Sequence, residues 1–306
     1  MNAIEIRNLT KSFGSKQALN GLNMTVPVGA IYGFIGENGS GKSTTEKIIC
    51  GLIHPTNGDV KLFGKEYTDA DVRAKIGVLI ESPGCFRNYS VWNNLMLQAT
   101  NLGIPNAKEE VIKVLKLVRM EGAASNKYKN CSLGMKQRIG IAMALLGNPA
   151  LLVLDEPING LDADGMRIMR EILLDVARNG CTVLVSSHIL GELEKIATHY
   201  GIVRDGKMIK EMTAKELDEN CRTYVALQTG NISLTKSLLQ RKYARLEEDT
   251  ENRLRIYDGV SPEEIVTYLY QNGILISEIS TNKIGLEEYY IDLMNEKGAN
   301  VYGKKF

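Results

Sequence analysis

The stretch GENGSGKST, from Gly36 to Thr44, fits the pattern G-x-x-x-x-G-K-[ST]. It follows an apolar run, AIYGFIG, that reads as a buried strand. It opens KSTTEKIICGL, which reads as a helix with Gly51 as its C-terminal stop. Such a loop is built to hold phosphate. Gly36, Gly39 and Gly41 let backbone N–H groups along Glu37, Asn38 and Ser40 close around phosphate oxygens. The helix N-terminus, from Lys42 through Thr44, adds partial positive charge. Lys42 is spaced to reach β- and γ-phosphates, and the Ser43 hydroxyl to ligate Mg²⁺. A second stretch, LLVLDEP from Leu151 to Pro157, is an apolar strand ending in two acids. Asp155 is placed to hold the magnesium through its water shell, and Glu156 to orient or deprotonate an attacking water. A third stretch, GVLIESPG from Gly77 to Gly84, runs an apolar strand into Glu81 before Ser-Pro-Gly turns the chain. A carboxylate ending a buried strand is unfavourable unless something pairs with it, so a partner for Glu81 is expected.

The elements around these residues alternate. AIEIRNLT and LNMTVPVG read as strands joined by a turn at FGSKQ, and GDVKLFGKEY as a further hairpin. From Ser90 to about Gly147 the pattern is helical. Ser90 can cap VWNNLMLQATNLG. Val111, Val114, Leu115 and Val118 of KEEVIKVLKLVRM share one face, the pattern of ordinary core packing. Beyond the Asp155 strand come a helix, GMRIMREILLDVARNG, a strand, TVLVSS, and a helix, ILGELEKIAT. Strands alternating with helices imply a parallel sheet covered on both faces. After about Lys215 the order becomes strand, helix, strand, strand, helix, strand: YVALQ, SLTKSLLQRKYA, ARLEED, RLRIYD, SPEEIVTYLYQNG and ILISEIS. That is the split-βαβ or ferredoxin-like order, with GLEEYYIDLMNEKG as a closing helix. The expected organisation is a nucleotide-binding domain over residues 1–214, with a helical subdomain at about 84–147, and an accessory α+β domain over 215–306.

Composition narrows the function. The 306 residues carry 37 basic and 36 acidic side chains, a net charge of +1, without the basic excess of a nucleic-acid binder. The 5 cysteines, Cys50, Cys85, Cys131, Cys181 and Cys221, are scattered, and none forms a C-x-x-C pair. They read as reduced thiols of a cytosolic protein. MNAIEIRNLT has neither a basic n-region nor an apolar h-region and is not a signal peptide. The most apolar tract, IGIAMALLGNPALLVLDEP, is cut by Asn148-Pro149 and ends in two acids, which excludes a membrane span of about 20 apolar residues.

Between the phosphate loop and the Asp-Glu strand lies CSLGMKQRIGIAMALL. With it the chain resembles the ATP-binding subunits of ABC transporters over roughly residues 1–215. That family has a loop close to L-S-G-G-Q at a helix start, some way before the Asp-Glu strand. Here it reads Cys131, Ser132, Leu133, Gly134, Met135. Ser132 and Gly134 are retained, a hydroxyl and a backbone N–H able to meet a γ-phosphate, while Leu133 and Met135 depart from the pattern. The resemblance implies several further roles. Asn159, Gly160, Leu161 and Asp162 match the loop that crosses the dimer interface. His188, after TVLVSS, matches the γ-phosphate contact. Phe13 matches an aromatic, usually tyrosine, that stacks on adenine. Glu81 stands where the family has a glutamine that contacts magnesium and the attacking water, so it is expected to face the nucleotide with a role that depends on Mg²⁺.

The combination of LIESPGCFRNYSVWNNL, YKNCSLGMKQRIGIA and GLEEYYIDL, Gly285 to Leu293, resembles the bacitracin- and lantibiotic-resistance exporters. The fold so implied is α/β: a P-loop ATPase with a parallel core sheet, an antiparallel β subdomain and a helical subdomain, plus the C-terminal α+β domain. The implied cofactors are ATP and Mg²⁺. The implied partners are a second ATP-binding subunit, forming a homodimer with two ATP molecules between the chains, and one or more separate transmembrane permease subunits. No nucleic acid is expected. The implied location is the cytoplasm, peripheral on the inner face of the cell membrane through the permease, with Pro83–Trp92 and the helical insert as the contact. Other cargoes (a drug, a lipid, an ion) and a peptide-sensing complex remain alternatives, as does an ABC ATPase without transport. The C-terminal domain shows no catalytic constellation; regulation or dimer support is its expected role.

Overall fold

The computed structural model describes residues 1–220, 223–248, 253–257, 259 and 261–294. The chain divides into two compact units, Met1–Ala214 and Lys215–Phe306.

In the first unit the strands β1 (Asn2–Phe13) and β2 (Lys16–Pro27) form one long antiparallel hairpin. Their apolar residues alternate inward, with Ile4, Ile6, Leu22 and Met24 buried. Next come β3 (Ile31–Ile35), α1 (Lys42–Ile49), β4 (Asn57–Leu62), β5 (Lys65–Glu66), α2 (Ala70–Arg73) and β6 (Ile76–Leu79). The helical segment holds α3 (Val91–Asn101), α4 (Ala107–Leu117) and α5 (Leu133–Leu145). It is followed by β7 (Leu151–Asp155), α6 (Ala163–Arg178), β8 (Thr182–Ser186), α7 (Leu190–Glu194), β9 (His199–Arg204) and β10 (Lys207–Thr213).

Two sheets result. One is antiparallel, in the order β2-β1-β4-β5; the other runs β10-β9-β3-β8-β7-β6, parallel except at β10. Ile4, Leu22 and Leu62 of the first sheet share a core with Phe34, Val153 and Leu184 of the second and with Ile48 and Ile49 of α1. Each such side chain taken fully from water contributes about 1.5–3 kcal/mol. The central parallel strands are buried on both faces, which explains their unbroken apolar runs. Their C-terminal ends carry the phosphate loop, Asp155 and Ser186.

Helix α5 approaches β6 closely because two glycines let it. A Cβ on Gly77 would lie 2.1 Å from the Ala144 carbonyl oxygen, and one on Gly140 would lie 2.8 Å from Leu79. Ser90 caps α3 as expected, accepting from the Asn93 N–H at 3.0 Å, and Val111, Val114, Leu115 and Val118 are buried. The hairpin of β9 and β10 lies in a stretch for which no element was expected. Its turn, Asp205-Gly206, has φ of 50° and 71°, the paired positive values that a two-residue hairpin turn requires.

One expectation is corrected. The strand that should run into Glu81 stops at Leu79. Glu81 lies beyond it, exposed, at φ 65°. It is therefore not a buried strand-end carboxylate, and the unfavourable burial argued for it does not arise.

The second unit contains α8 beyond Ala214 (Ala214–Asn220), β11 (Thr223–Thr229), α9 (Ile232–Leu239), β12 (Leu246–Glu248), β13 (Leu254–Ile256), α10 (Pro262–Gln271), β14 (Ile276–Lys283) and α11 (Leu286–Met294). Its antiparallel sheet runs β12-β13-β11-β14. Numbered within the unit, that order is 2-3-1-4, the ferredoxin-like sheet. Val225, Leu227, Leu239, Leu254, Ile256, Ile265 and Leu269 form its core. In the motif GLEEYYIDL, Leu286 and Tyr289 are buried and Glu288 pairs with Arg255. Cys221 and the end of the expected closing helix lie outside the described residues.

Candidate functional site

The phosphate loop connects β3 to α1. Gly36 is buried, and a Cβ there would meet Ser40 Oγ and the Val203 carbonyl oxygen, each at 2.5 Å. Gly41, the residue before α1, has φ 111° and packs against Leu19, so a side chain is excluded there on both counts. The Lys42 ammonium lies inside the loop and donates to the carbonyl oxygens of Gly36 at 2.6 Å and Glu37 at 3.2 Å. Glu37, Asn38 and Gly39 form the exposed rim, Ser40 is buried, and Ser43 and Thr44 are half-buried in the first turn of α1.

Three strand ends converge on this loop. Ser43 Oγ donates to Asp155 Oδ2 at 3.2 Å. On the other side of the carboxylate, Ser186 Oγ donates to Asp155 Oδ1 at 2.9 Å. Asp155 and Ser186 are register partners of adjacent parallel strands, which is why they meet. The Glu156 N–H donates to Ser186 Oγ at 3.2 Å, and Glu156 itself adopts φ 50° as the chain leaves the strand. Its carboxylate turns to His188: Nδ1 lies 2.8 Å from Glu156 Oε2, and the His188 N–H donates to the same oxygen at 3.3 Å. A carboxylate only accepts, so Nδ1 carries the hydrogen and Nε2 is left free to face a ligand. The Ser43 and Asp155 oxygens are the hard donors that suit Mg²⁺, which keeps several waters and takes few protein ligands. No cluster of three or more acidic, histidine or cysteine side chains fit to hold a metal occurs among the described residues. The donor set therefore fits a magnesium ion held chiefly by phosphates and water.

Glu81 takes no part in these hydrogen bonds and has a partner of its own. Its carboxylate accepts from Lys47 Nζ at 2.9 Å, and that hydrogen bond and charge hold the carboxyl below the usual range. The partner expected for it is therefore a lysine of α1. Phe13 is half exposed, not core, and Lys11 Nζ sits 4.9 Å from its ring centroid while donating to the His54 carbonyl oxygen.

The second loop is separate. Ser132 caps α5, its Oγ accepting from the Met135 N–H at 3.3 Å. Leu133 is half exposed and lies over Gly160, where a Cβ would meet it at 2.9 Å; Gly134 faces Leu161. The two residues that depart from the family loop thus have different surroundings: Leu133 packs on the neighbouring Asn159–Asp162 loop, while Met135 supplies the capped N–H. Asp162 caps α6 through the Gly165 N–H at 2.9 Å, and the Asn159 N–H donates to the Glu156 carbonyl oxygen. That loop is tied to the Glu156 strand end at one side and to Leu133 at the other.

The ABC transporter family model matches residues 19–159, a span that includes the phosphate loop, the Ser132 loop and the Asp-Glu strand. The bacitracin transport ATP-binding protein BcrA of Enterococcus faecalis is 37% identical over 96% of this chain and 97% of its own length. The chain belongs to the ATP-binding subunits of ABC transporters. The lantibiotic transport ATP-binding protein SrtF of Streptococcus pyogenes is 42% identical over 70% of this chain and 91% of its own. Among solved structures, an ATP-binding subunit of an ABC transporter, 28% identical, matches 71% of this chain and 92% of its own with a TM-score of 0.64. A dimeric cassette in a post-hydrolysis state bound to ADP and Pi, 25% identical, matches 69% of this chain and 98% of its own with a TM-score of 0.63. The ABC subunit binds ATP and couples its hydrolysis to transport.

Two residues of this ABC subunit escaped sequence reasoning. Ser186 bridges both strand-end acids; its adjacency to Asp155 depends on strand order, which the sequence does not spell out. Glu46, four residues after Lys42, is fully buried in α1. Burial pushes its carboxyl well above the usual range; Asp155 adds to that rise, Ser186 and Lys42 oppose it, and Glu156 adds to it. In sequence it looks like an ordinary polar helix position.

A groove of about 900 Å³ lies between β6, α3 and α5, away from the phosphate loop, and is lined in part by Leu79, Ser82, Pro83, Leu102 and Met143. In the chain between Gly84 and Gln98 of its lining, buried Asn94 ties the Phe86 backbone at 2.7 and 3.2 Å, and the exposed Phe86 and Tyr89 rings lie 5.2 Å apart, tilted by 32°. No helix among the described residues is long and apolar enough to cross a membrane.

Proposed function

We propose that this ABC subunit drives resistance to, or export of, a peptide antibiotic of the bacitracin type through separate membrane permease subunits. One observation carries the cargo assignment. The similarity to the bacitracin transport protein runs through both compact units, whereas that to the lantibiotic transport protein is confined to about the length of the cassette.

In this reading Gly36 to Thr44 hold the ATP phosphates, with Lys42 leaving its loop carbonyls for the β- and γ-phosphates. Phe13 offers a ring face to adenine. Ser43 and Asp155 hold Mg²⁺, whose charge offsets that of the phosphates. Glu156 accepts a proton from the attacking water, and His188 holds that carboxylate at Nδ1 while its Nε2 meets the γ-phosphate. Ser132 and Gly134 present a hydroxyl and a helix N-terminus to the nucleotide of a second, identical subunit. The Asn159–Asp162 loop faces the same junction. ATP thus closes the dimer and hydrolysis reopens it, which moves the permease between two orientations. The groove beside α5, with Phe86 and Tyr89 at its margin, receives the permease and holds the subunit at the inner face of the membrane.

The test is susceptibility. The gene is deleted and restored as wild type or Glu156→Gln, and each strain is exposed to bacitracin and to several lantibiotics. Selective sensitisation to bacitracin, rescued only by wild type, is the expected result. Equal growth of all strains removes the peptide cargo and leaves the ATPase.

A further inference from the structure

The hairpins β4–β5 and β9–β10 close in two-residue turns of the same kind. Phe63 and Gly64 have φ of 51° and 79°, and Asp205 and Gly206 have φ of 50° and 71°. Their surroundings differ. Gly64 is exposed, and a Cβ there would meet nothing within 4 Å. Gly206 is buried against β2, where a Cβ would lie 2.7 Å from the Ala18 carbonyl oxygen and 2.8 Å from the Leu19 Cα. Both main-chain groups of Gly206 are used outside its own hairpin. Its carbonyl oxygen accepts from the Asn20 N–H at 2.9 Å, and its N–H donates to the Ser40 carbonyl oxygen at 2.9 Å. The turn is thus bonded to β2 on one side and to the phosphate loop on the other. Strand β9, which leads into the turn, touches the start of the same loop: a Cβ on Gly36 would meet the Val203 carbonyl oxygen at 2.5 Å.

The bond to Ser40 orients a whole peptide unit. A peptide bond is planar and trans, so its C=O and the N–H that follows point in opposite directions. With the Ser40 carbonyl held by Gly206, the Gly41 N–H is turned to the face of the loop away from the hairpin. Gly41 takes this place because it has no side chain. At φ 111°, a Cβ would lie 2.7 Å from Leu19 and 3.0 Å from the Ala18 carbonyl oxygen, on the same stretch of β2 that receives Gly206. Lys42 also holds the loop, through the Gly36 and Glu37 carbonyls, but with an ammonium that phosphate attracts. The Gly206 bond engages no group that a nucleotide would take. We propose that the Asp205-Gly206 turn is a positioning element of the nucleotide site: it fixes the Ser40–Gly41 peptide from behind, so that the Gly41 N–H already faces the phosphates when Lys42 leaves its carbonyls for them. A donor fixed before binding saves the cost of ordering it on binding. This inference rests on the assignment of Gly36 to Thr44 to the ATP phosphates.

The test pairs Gly206→Ala with Gly64→Ala. Both put a side chain at the same strained turn position, and only the first pushes a turn off β2 and the phosphate loop. ADP affinity is measured by calorimetry, and KM and kcat for ATP by steady-state turnover. A donor lost to phosphate weakens ground state and transition state alike. Gly206→Ala should therefore raise the Kd for ADP and the KM for ATP about tenfold and keep kcat within about twofold of wild type. Gly64→Ala should keep Kd and KM. Damage to the fold would instead lower kcat, through the active fraction, and leave KM in place. An unchanged Kd in Gly206→Ala, an equal rise in Gly64→Ala, or a fall in kcat at unchanged KM each overturns the proposal. If Gly206→Ala does not fold, amide hydrogen exchange of wild type with and without ADP decides. Exchange at the Gly206 N–H should slow several-fold more than at the Tyr67 N–H, which donates to the Val60 carbonyl oxygen in the other hairpin; equal slowing of the two overturns the proposal. Lys42→Ala is measured alongside. If it too leaves the Kd for ADP unchanged, the phosphate-loop assignment fails; if it alone raises the Kd, only the role of the turn fails.

Discussion

At the scale of single residues, the carboxylates of Glu81 and Glu46 behave in opposite ways. Glu81 is exposed and paired with Lys47; such pairs contribute little and are screened by salt. Release from Lys47 toward a nucleotide-bound cation is therefore inexpensive, and its worth should appear only with Mg²⁺. Glu81→Gln is expected to weaken the Mg²⁺ dependence of ATP turnover several-fold without altering thermal stability. A Mg²⁺ titration of turnover checks this, and an unchanged curve would remove Glu81 from the metal's surroundings. Glu46 is buried, and its folded-state pKa is raised above the ordinary 4.5. Above pH 4.5 the unfolded chain releases this proton while the folded chain retains it. The stabilising contribution is thus complete below 4.5 and is lost as pH rises through the folded-state value. Melting curves of wild type and Glu46→Met followed upward from pH 4.5 should diverge, with wild type losing stability relative to Glu46→Met as pH increases.

At the scale of elements, the Ser132 loop depends on how α5 sits against β6. The contact is made by glycine: the Gly77 position leaves no room for a side chain, since a Cβ would lie 2.1 Å from a main-chain oxygen of α5. Backbone cannot swing aside as a flexible side chain does, so Gly77→Ala should displace the helix. The expected loss is about 1–3 kcal/mol or more, read as a lower denaturation midpoint, together with weaker ATPase from a misplaced Ser132. Gly122→Ala, where nothing lies within 4 Å of the added atom, is the control and should unfold as wild type does. A wild-type midpoint for Gly77→Ala would show that α5 is not seated by this contact.

At the scale of the whole molecule, the phosphate loop and the Ser132 loop belong to different junctions of a proposed dimer. Glu156→Gln keeps the binding residues and removes the proton acceptor. It should therefore run as a dimer with ATP and as a monomer with ADP, at an ATPase rate roughly a hundredfold or more below wild type. Light scattering on a sizing column distinguishes the two. A Glu156→Gln protein that stays monomeric in saturating ATP would count against the shared site.

Much was legible in the amino-acid sequence, because some chemistry is local along the chain. The phosphate loop needs glycines, a lysine and a hydroxyl at fixed spacing, and Asp155 with Glu156 needs only an apolar strand before it. The ferredoxin-like order of the C-terminal unit was legible for the same reason, since each of its elements carries its own period. Tertiary structure alone decided what depends on which strands are neighbours. Ser186 meets Asp155 because β7 and β8 adjoin; His188 meets Glu156 because both leave those strands together. Glu46 is buried because α1 turns that face toward the sheet, and Glu81 finds Lys47 because its strand stops two residues early. Side-chain type and spacing specify what a residue is able to do. Its partner, its burial and therefore its charge follow from long-range packing, which no window of the sequence contains.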